Sequence, residues 1–213
     1  MAFAESQIAA AFPTLIGRFK VPQADSLNRD LKALTLEHAR SEPNVPHANV
    51  GGWHSRSDLL EWPHPAIQTL RTAILEGLQQ MVGATLDQMR KGGIQRGFNG
   101  SLGLIAWANI SRRGHYHTVH NHPGSCWSGV YYVDTGGDAG PDHPRSGVID
   151  LMDPRPFTEM VAVPGEPYGQ KLSIRPEPGT LLIFPGFLYH FVHPFMGDGE
   201  RISIAFNARV ERR

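Results

Sequence analysis

The chain has 213 residues, 20 basic and 20 acidic side chains, a formal charge of zero, 40% hydrophobic residues and 19% charged ones. These figures exclude a disordered acidic chain and a uniformly basic nucleic-acid-binding one, and they suit one ordinary domain spanning 1–213. The single Cys126 excludes an internal disulfide and a zinc cluster built on cysteines, and it favours a reducing compartment.

No run approaches the roughly 18 apolar residues of a membrane span. The N-terminus, MAFAESQIAAAFPTLIGRF, carries Glu5 and no basic residue before Arg18, unlike a secretory signal. A soluble cytoplasmic enzyme or binding protein is the expectation.

Residues 1–90 read as a helical support region. Phe12–Val21 suits a strand. Leu27, Leu31, Leu34 and His38 fall at helical spacing over Asp25–Arg40, with Asp25 and Ser26 as N-cap candidates. Ile67, Leu70, Ile74, Leu78 and Met81 repeat the pattern over Pro65–Val82, with Pro65 in the first turn and Gly83 as the expected stop. Eighteen of the 23 glycines lie after residue 91, where the period changes. Ser101–Ile110 places Leu102, Leu104, Ala106, Ala108 and Ile110 on one face and Trp107 and Asn109 on the other. Of these two, Trp107 is expected to pack in the core, although both could line a binding face. Short runs at Cys126–Val133, Ser146–Met152, Phe157–Val163, Lys171–Arg175, Thr180–Phe184, Leu188–His193 and Arg201–Val210 follow, bounded by Gly, Pro and Asp. The expected fold is mainly β with N-terminal helices, the helices bracing a double-stranded β-helix (jelly-roll, cupin-like) core over 98–210.

Four of the 11 histidines fall between 115 and 122. For His38, His47, His54, His64 and His143 a surface or simply hydrogen-bonded role is expected. On a strand, residues i and i+2 share a side, so His120 and His122 could aim two imidazoles at one point, and so could His115 and His117. Only the later pair leads through Pro123-Gly124 directly into the apolar run CWSGVYYV. His190, set among Leu188, Tyr189, Phe191 and Val192, is the candidate for a third metal ligand, while His193 points the other way on a regular strand. Alternation over Arg201–Asn207 puts Ile202, Ile204 and Phe206 on the packed face. Arg201, Ser203, Ala205 and Asn207 take the opposite one, where an arginine could grip a carboxylate by two hydrogen bonds.

The blocks HNHPGSCWSGVYYVD (120–134), SGVIDLMDPR (146–155), PGTLLIFPGFLYHFVHP (178–194) and ERISIAFN (200–207) occur in an order that resembles the Fe(II)/2-oxoglutarate-dependent dioxygenases. The likeness, over roughly 101–210, is to their prolyl-4-hydroxylase-like branch and to the 2OG-Fe(II) oxygenases of bacteria and phages. It implies metal ligation by His120 and His190, and a grip on the far carboxylate of 2-oxoglutarate by Arg201, Ser203 and Tyr132. The usual motif of that superfamily is His-x-Asp/Glu, whereas this chain has His120-Asn121-His122. His122 is the favoured third ligand, and Asp134 is the alternative carboxylate.

The implied activity is a hydroxylase-type oxidation with Fe(II) and 2-oxoglutarate as cofactors, in which the co-substrate is decarboxylated to succinate. The expected partner is a small-molecule or peptide substrate, with no nucleic acid or membrane, and with room for a homodimer. A cupin-type metal enzyme that does not use 2-oxoglutarate, and a non-catalytic metal-binding sensor barrel, are the rival readings. Thr135–Pro144 and Pro164–Gln170 are the loops expected to select the substrate.

Overall fold

Two antiparallel sheets face each other, and two helices cover the outer side of the larger one. The computed structural model describes residues 11–160, 162–165, 168–169 and 171–211. The six-stranded sheet has the order β1-β9-β6-β11-β4-β3, with β1 at Gly17–Lys20, β3 at Trp53–His54, β4 at Ser101–Ser111, β6 at Trp127–Thr135, β9 at Thr180–Pro185 and β11 at Arg201–Glu211. The five-stranded sheet has the order β2-β5-β10-β7-β8, with β2 at Asn49–Val50, β5 at Tyr116–His120, β7 at Ile149–Met152, β8 at Lys171–Ile174 and β10 at His190–Val192. Helices α1 (Ala24–Ser41) and α2 (Pro65–Lys91) precede most of the strands. This is the jelly-roll arrangement with N-terminal helices that the alternating patterns predict.

The larger sheet is buried on both faces, and the period of two decides which side chain goes where. Ala106, Ala108, Ile110, Tyr131, Val133, Leu181, Ile183, Ile202, Ile204 and Phe206 meet Leu27 and Leu31 of α1 and Ile67, Leu70, Ile74 and Leu78 of α2. Gly77 lets α2 approach β9 closely, since a Cβ there would stand 2.9 Å from Ile183 Cδ1 and 3.0 Å from Leu181 Cδ2. Two polar contacts tie α1 to β6: Tyr131 Oη donates to Asn28 Oδ1 at 2.7 Å, and Lys32 Nζ meets Asp134 Oδ2 at 2.7 Å. Between the sheets, Tyr132, Leu182 and Phe184 pack on Ile149, Leu151, Leu188 and Val192. That cluster fills only part of the gap, and the remainder is a cavity.

Several expectations are corrected. Helix α1 starts at Ala24 behind the left-handed Gln23, so neither Asp25 nor Ser26 caps it, and Asp25 instead lies in the first turn. Helix α2 does not stop at Gly83 but continues to Lys91 with Gly92 as its C-cap. A single exposed glycine costs only about 1 kcal/mol against alanine, and the good helix formers that follow it carry the helix on. Phe157–Val163 is no strand among its described residues: Phe157 has φ 62° and a single 3-10 turn spans Thr158–Met160. The strand expected within Phe12–Val21 shortens to β1, and that of Ser146–Met152 to β7. Strands β2 and β3 add to the expected elements, each having only two residues, too few for a period to register, and β5 realises the strand behind the His120/His122 spacing only as far as His120. The reading of the N-terminus as unlike a secretory signal rests partly on residues 1–10, which lie outside the described residues, as do parts of the loop Pro164–Gln170. No helix among the described residues is long and apolar enough to cross a membrane.

Candidate metal and co-substrate site

His120 and His190 are brought together by strand pairing. β5 and β10 run antiparallel with His190 directly opposite His120, and the two ring centroids lie 4.2 Å apart. His122 does not sit on the strand, as the i, i+2 argument supposed. It lies two residues beyond β5 in a turn whose backbone is fastened to the β9–β10 connection, His122 N–H donating to Gly186 O at 2.8 Å and Gly186 N–H to Cys126 O at 3.2 Å. Its ring nevertheless reaches to 5.2 Å from that of His120 and 5.1 Å from that of His190. One ligand atom from each of the three falls within 4.8 Å of the others.

The supporting contacts set the chemistry of these rings. Nδ1 of His120 lies 2.7 Å from Thr118 O and Nδ1 of His190 lies 3.0 Å from Leu188 O. A carbonyl only accepts, so each Nδ1 carries the proton and each Nε2 keeps its lone pair, the tautomer a metal requires. Burial pushes the His190 pKa down to about 3 and that of His122 down to about 4, and it lowers that of His120 as well; mutual repulsion adds to the first two. Three neutral imidazoles therefore converge at neutral pH.

A second polar centre stands on the facing sheet. Arg201, at the start of β11, is only 3% exposed, and no carboxylate pairs with it among the described residues. Its Nη1 makes one long contact of 3.4 Å to Ser203 Oγ, and its Nε has no partner. Tyr132, opposite Ser203 in the β6–β11 register, has a buried hydroxyl that is also unpartnered. Burial pushes the Tyr132 pKa up to about 12, against the smaller opposing pull of Arg201, so the phenol remains an O–H donor. Gly147, at φ 64°, leaves Arg201 its room, since a Cβ there would stand 3.2 Å from Nε. Unpaired buried donors of this kind cost free energy unless an acceptor meets them.

Residues 105–207 match the family described as "Putative 2OG-Fe(II) oxygenase". That stretch belongs to the 2OG-Fe(II) oxygenase family. The activity class and cofactor pair of this oxygenase, Fe(II) and 2-oxoglutarate, follow from that membership. Solved structures agree on the fold. A prolyl-4-hydroxylase of Pseudomonas putida has 16% identity, covering 92% of this chain and 93% of its own, with a TM-score of 0.59. The Trichoplax adhaerens prolyl hydroxylase, in complex with a hypoxia-inducible-factor peptide fragment, has 14% identity, 91% and 83% coverage, and a TM-score of 0.63. HygX of Streptomyces hygroscopicus, with nickel and 2-oxoglutarate bound, has 12% identity, 92% and 83% coverage, and a TM-score of 0.58. No curated protein matches the chain.

The oxygenase's residues fit both groups on their own chemistry. Neutral imidazoles with free Nε2 atoms suit a divalent iron, and an unpaired guanidinium with a neighbouring unpaired phenol suits a carboxylate. Both centres line one cavity of about 550 Å³ between the sheets. Other side chains in its wall depart from the sequence-based expectations. Trp107 is not core: it lines the cavity with Asn109, its ring 5.6 Å from His54 and 6.1 Å from His122. His54 lines it as well, 4% exposed with its Nδ1 2.6 Å from Ser55 O, and His47 stands in the wall while remaining solvent-exposed. The His115/His117 pair is split. His115 Nδ1 accepts the Arg112 N–H at 3.0 Å away from the cavity, whereas His117 lines it. An irregularity in the β5–β10 register, where His190 meets His120 but Val192 meets His117, turns His117 inward. Asp134 is engaged by Lys32 and the Gly136 N–H and takes no part in the wall, and His193 is bound to Asp150 at 2.9 Å. A period or a spacing would not reveal His54, because a two-residue strand carries no pattern, whereas the i, i+2 spacing marks His117 together with His115 and the bulge separates the two.

Proposed function

We propose that His120, His122 and His190 hold the iron, and that Arg201, Ser203 and Tyr132 take the far carboxylate of 2-oxoglutarate, in an oxygenase that hydroxylates a small-molecule or peptide substrate. One observation carries the reading: three neutral imidazoles share a single cavity with a buried arginine that has no carboxylate partner among the described residues. The chemistry supplied by the bound groups is oxidative decarboxylation of 2-oxoglutarate to succinate, coupled to oxidation of a C–H bond. The protein's part is orientation. Thr118 O and Leu188 O fix two ring tautomers, and the Arg201 fork with the Tyr132 hydroxyl sets the direction of the co-substrate. Buried apolar side chains such as Phe184 and Val192 exclude water from one side of the cavity.

The lone cysteine supports a reducing compartment, the cytoplasm, as the place of work. Purified protein supplied with Fe(II), oxygen and 2-oxoglutarate is expected to form succinate slowly without any prime substrate, and His190→Ala is expected to abolish both iron retention and succinate. Retention of stoichiometric iron by His190→Ala would remove that residue from the ligand set.

A further inference from the structure

The wall of the cavity contains one cation, Arg201, and no aspartate, glutamate or lysine among the described lining residues. Two neighbouring acids are engaged elsewhere, whereas Asp58, beside the lining residue Ser57, stands outside the wall with one carboxylate oxygen buried and without a hydrogen-bond partner among the described residues. Asp134 pairs with Lys32, and Asp150, next to the lining residue Ile149, turns away to Arg145, Ser173 and His193. The position that bears a carboxylate in the usual His-x-Asp/Glu motif is His122. Resting on the ligand and co-substrate assignments above, the charges add up simply. A divalent iron and one guanidinium bring three positive charges, the dianion of 2-oxoglutarate brings two negative ones, and the described lining residues add none. One positive charge is left over in a partly closed, partly apolar space, where uncompensated charge is costly.

From the meeting of this acid-free wall with three converging imidazoles and Arg201, we propose that the prime substrate is an anion that places a carboxylate beside the histidine triad. Trp107, its ring 6.1 Å from that of His122, and Asn109, opposite Ser203 in the β4–β11 register, line the cavity from β4 and offer an aromatic face and a carboxamide to the remainder of such a molecule. Attraction between single opposite charges roughly 5 Å apart, at an effective dielectric of about 20, corresponds to a preference on the order of a hundredfold over a neutral molecule of the same shape. Desolvation of the carboxylate reduces this, so a preference of about ten- to a hundredfold is expected.

The test uses Co(II)-loaded full-length protein with saturating 2-oxoglutarate, titrated separately with benzoate and benzamide. Binding is read from the visible Co(II) absorption and by calorimetry. Benzoate is expected to bind about ten- to a hundredfold tighter than benzamide, with an affinity that does not change as 2-oxoglutarate is raised. In His122→Asp the ligand itself supplies the negative charge, and the preference is expected to fall to within about threefold. Equal affinities in the native protein, no response to either probe, or a preference undiminished in His122→Asp would each overturn the inference. So would a benzoate affinity that falls in proportion to added 2-oxoglutarate, which would mean displacement of the co-substrate at Arg201. Failure of Co(II) or 2-oxoglutarate to bind at all is a separate result, and it would remove the site assignment together with this inference.

Discussion

Replacing Arg201 with leucine separates two functions that share one cavity. The guanidinium is buried, its Nε has no partner, and among the described residues its one side-chain hydrogen bond is the 3.4 Å approach to Ser203 Oγ, with the Tyr132 ring centroid 5.5 Å from Cζ. When 2-oxoglutarate is absent, this side chain is therefore a buried charge with little to compensate it. When the co-substrate is present, a planar fork gives up to two charge-assisted hydrogen bonds, each worth about 1.5–3 kcal/mol. Taking about 3–4 kcal/mol for the pair, Arg201→Leu should weaken 2-oxoglutarate binding by roughly two to three orders of magnitude. The iron content should stay near that of the native protein, because Arg201 touches none of the three imidazoles through a hydrogen bond. The ligand-free variant should unfold at the same temperature or higher, since a poorly compensated buried charge has gone. Calorimetric titration of Co(II)-loaded protein measures the first quantity, elemental analysis the second and thermal denaturation the third. A 2-oxoglutarate affinity within threefold of native would refute the assignment, and so would metal loss equal to that of His190→Ala.

Tyr132→Phe removes one buried O–H donor and no metal ligand, so 2-oxoglutarate affinity should fall about tenfold in the same titration with metal content unchanged. The pH dependence of stability has a definite sign. His54 and His190 are both 4% exposed, and burial holds the first at about 4 and the second at about 3, below the unfolded value of 6.5. Between about pH 6.5 and 4 the unfolded chain takes up protons that the native state refuses, so stability present above pH 6.5 is lost as pH falls. At pH 5.5 the loss is about 1.4 kcal/mol for each such group. Urea denaturation of the metal-free protein at pH 7.5 and 5.5 measures it, and His54→Gln should show a loss smaller by about that amount. Gly77→Val inserts a branched side chain where even a lone Cβ would stand 2.9 Å from Ile183 Cδ1. Overpacking of this kind costs about 1–3 kcal/mol and should lower Tm by roughly 2–12 °C in a thermal melt.

The parts of the fold that could be read from the chain are those with two chemically different faces. Arg201–Asn207 alternates because β11 presents Ile202, Ile204 and Phe206 to the helices and Arg201, Ser203, Ala205 and Asn207 to the cavity. The same contrast made β4 legible, although it assigned Trp107 to the wrong environment, since a large aromatic in a strand looks alike whether it meets a core or a cavity. What stayed hidden depends on contacts distant in sequence. His54 reaches the cavity only because the two-residue β3 pairs with β4, and nothing local in that turn-rich stretch announces the pairing. His117 turns inward through an irregular register that alternation by twos does not describe. Helix α2 outran its expected end because packing and good helix formers beyond Gly83 outweigh one unfavourable residue. His122 was chosen on a strand geometry it lacks, and it meets the other two rings through a turn instead.

That turn separates the sheet from the identity of the residue it carries. His120 and His190 are locked into a ladder, where a change of side-chain length must be absorbed by neighbouring strands. His122 projects from a loop anchored only by its backbone to Gly186 and Ser125, so the anchorage is indifferent to which side chain stands there. On the proposed ligand assignment, position 122 is expected to accept shorter or longer donors, nitrogen or oxygen, without disturbing the backbone contacts on either side.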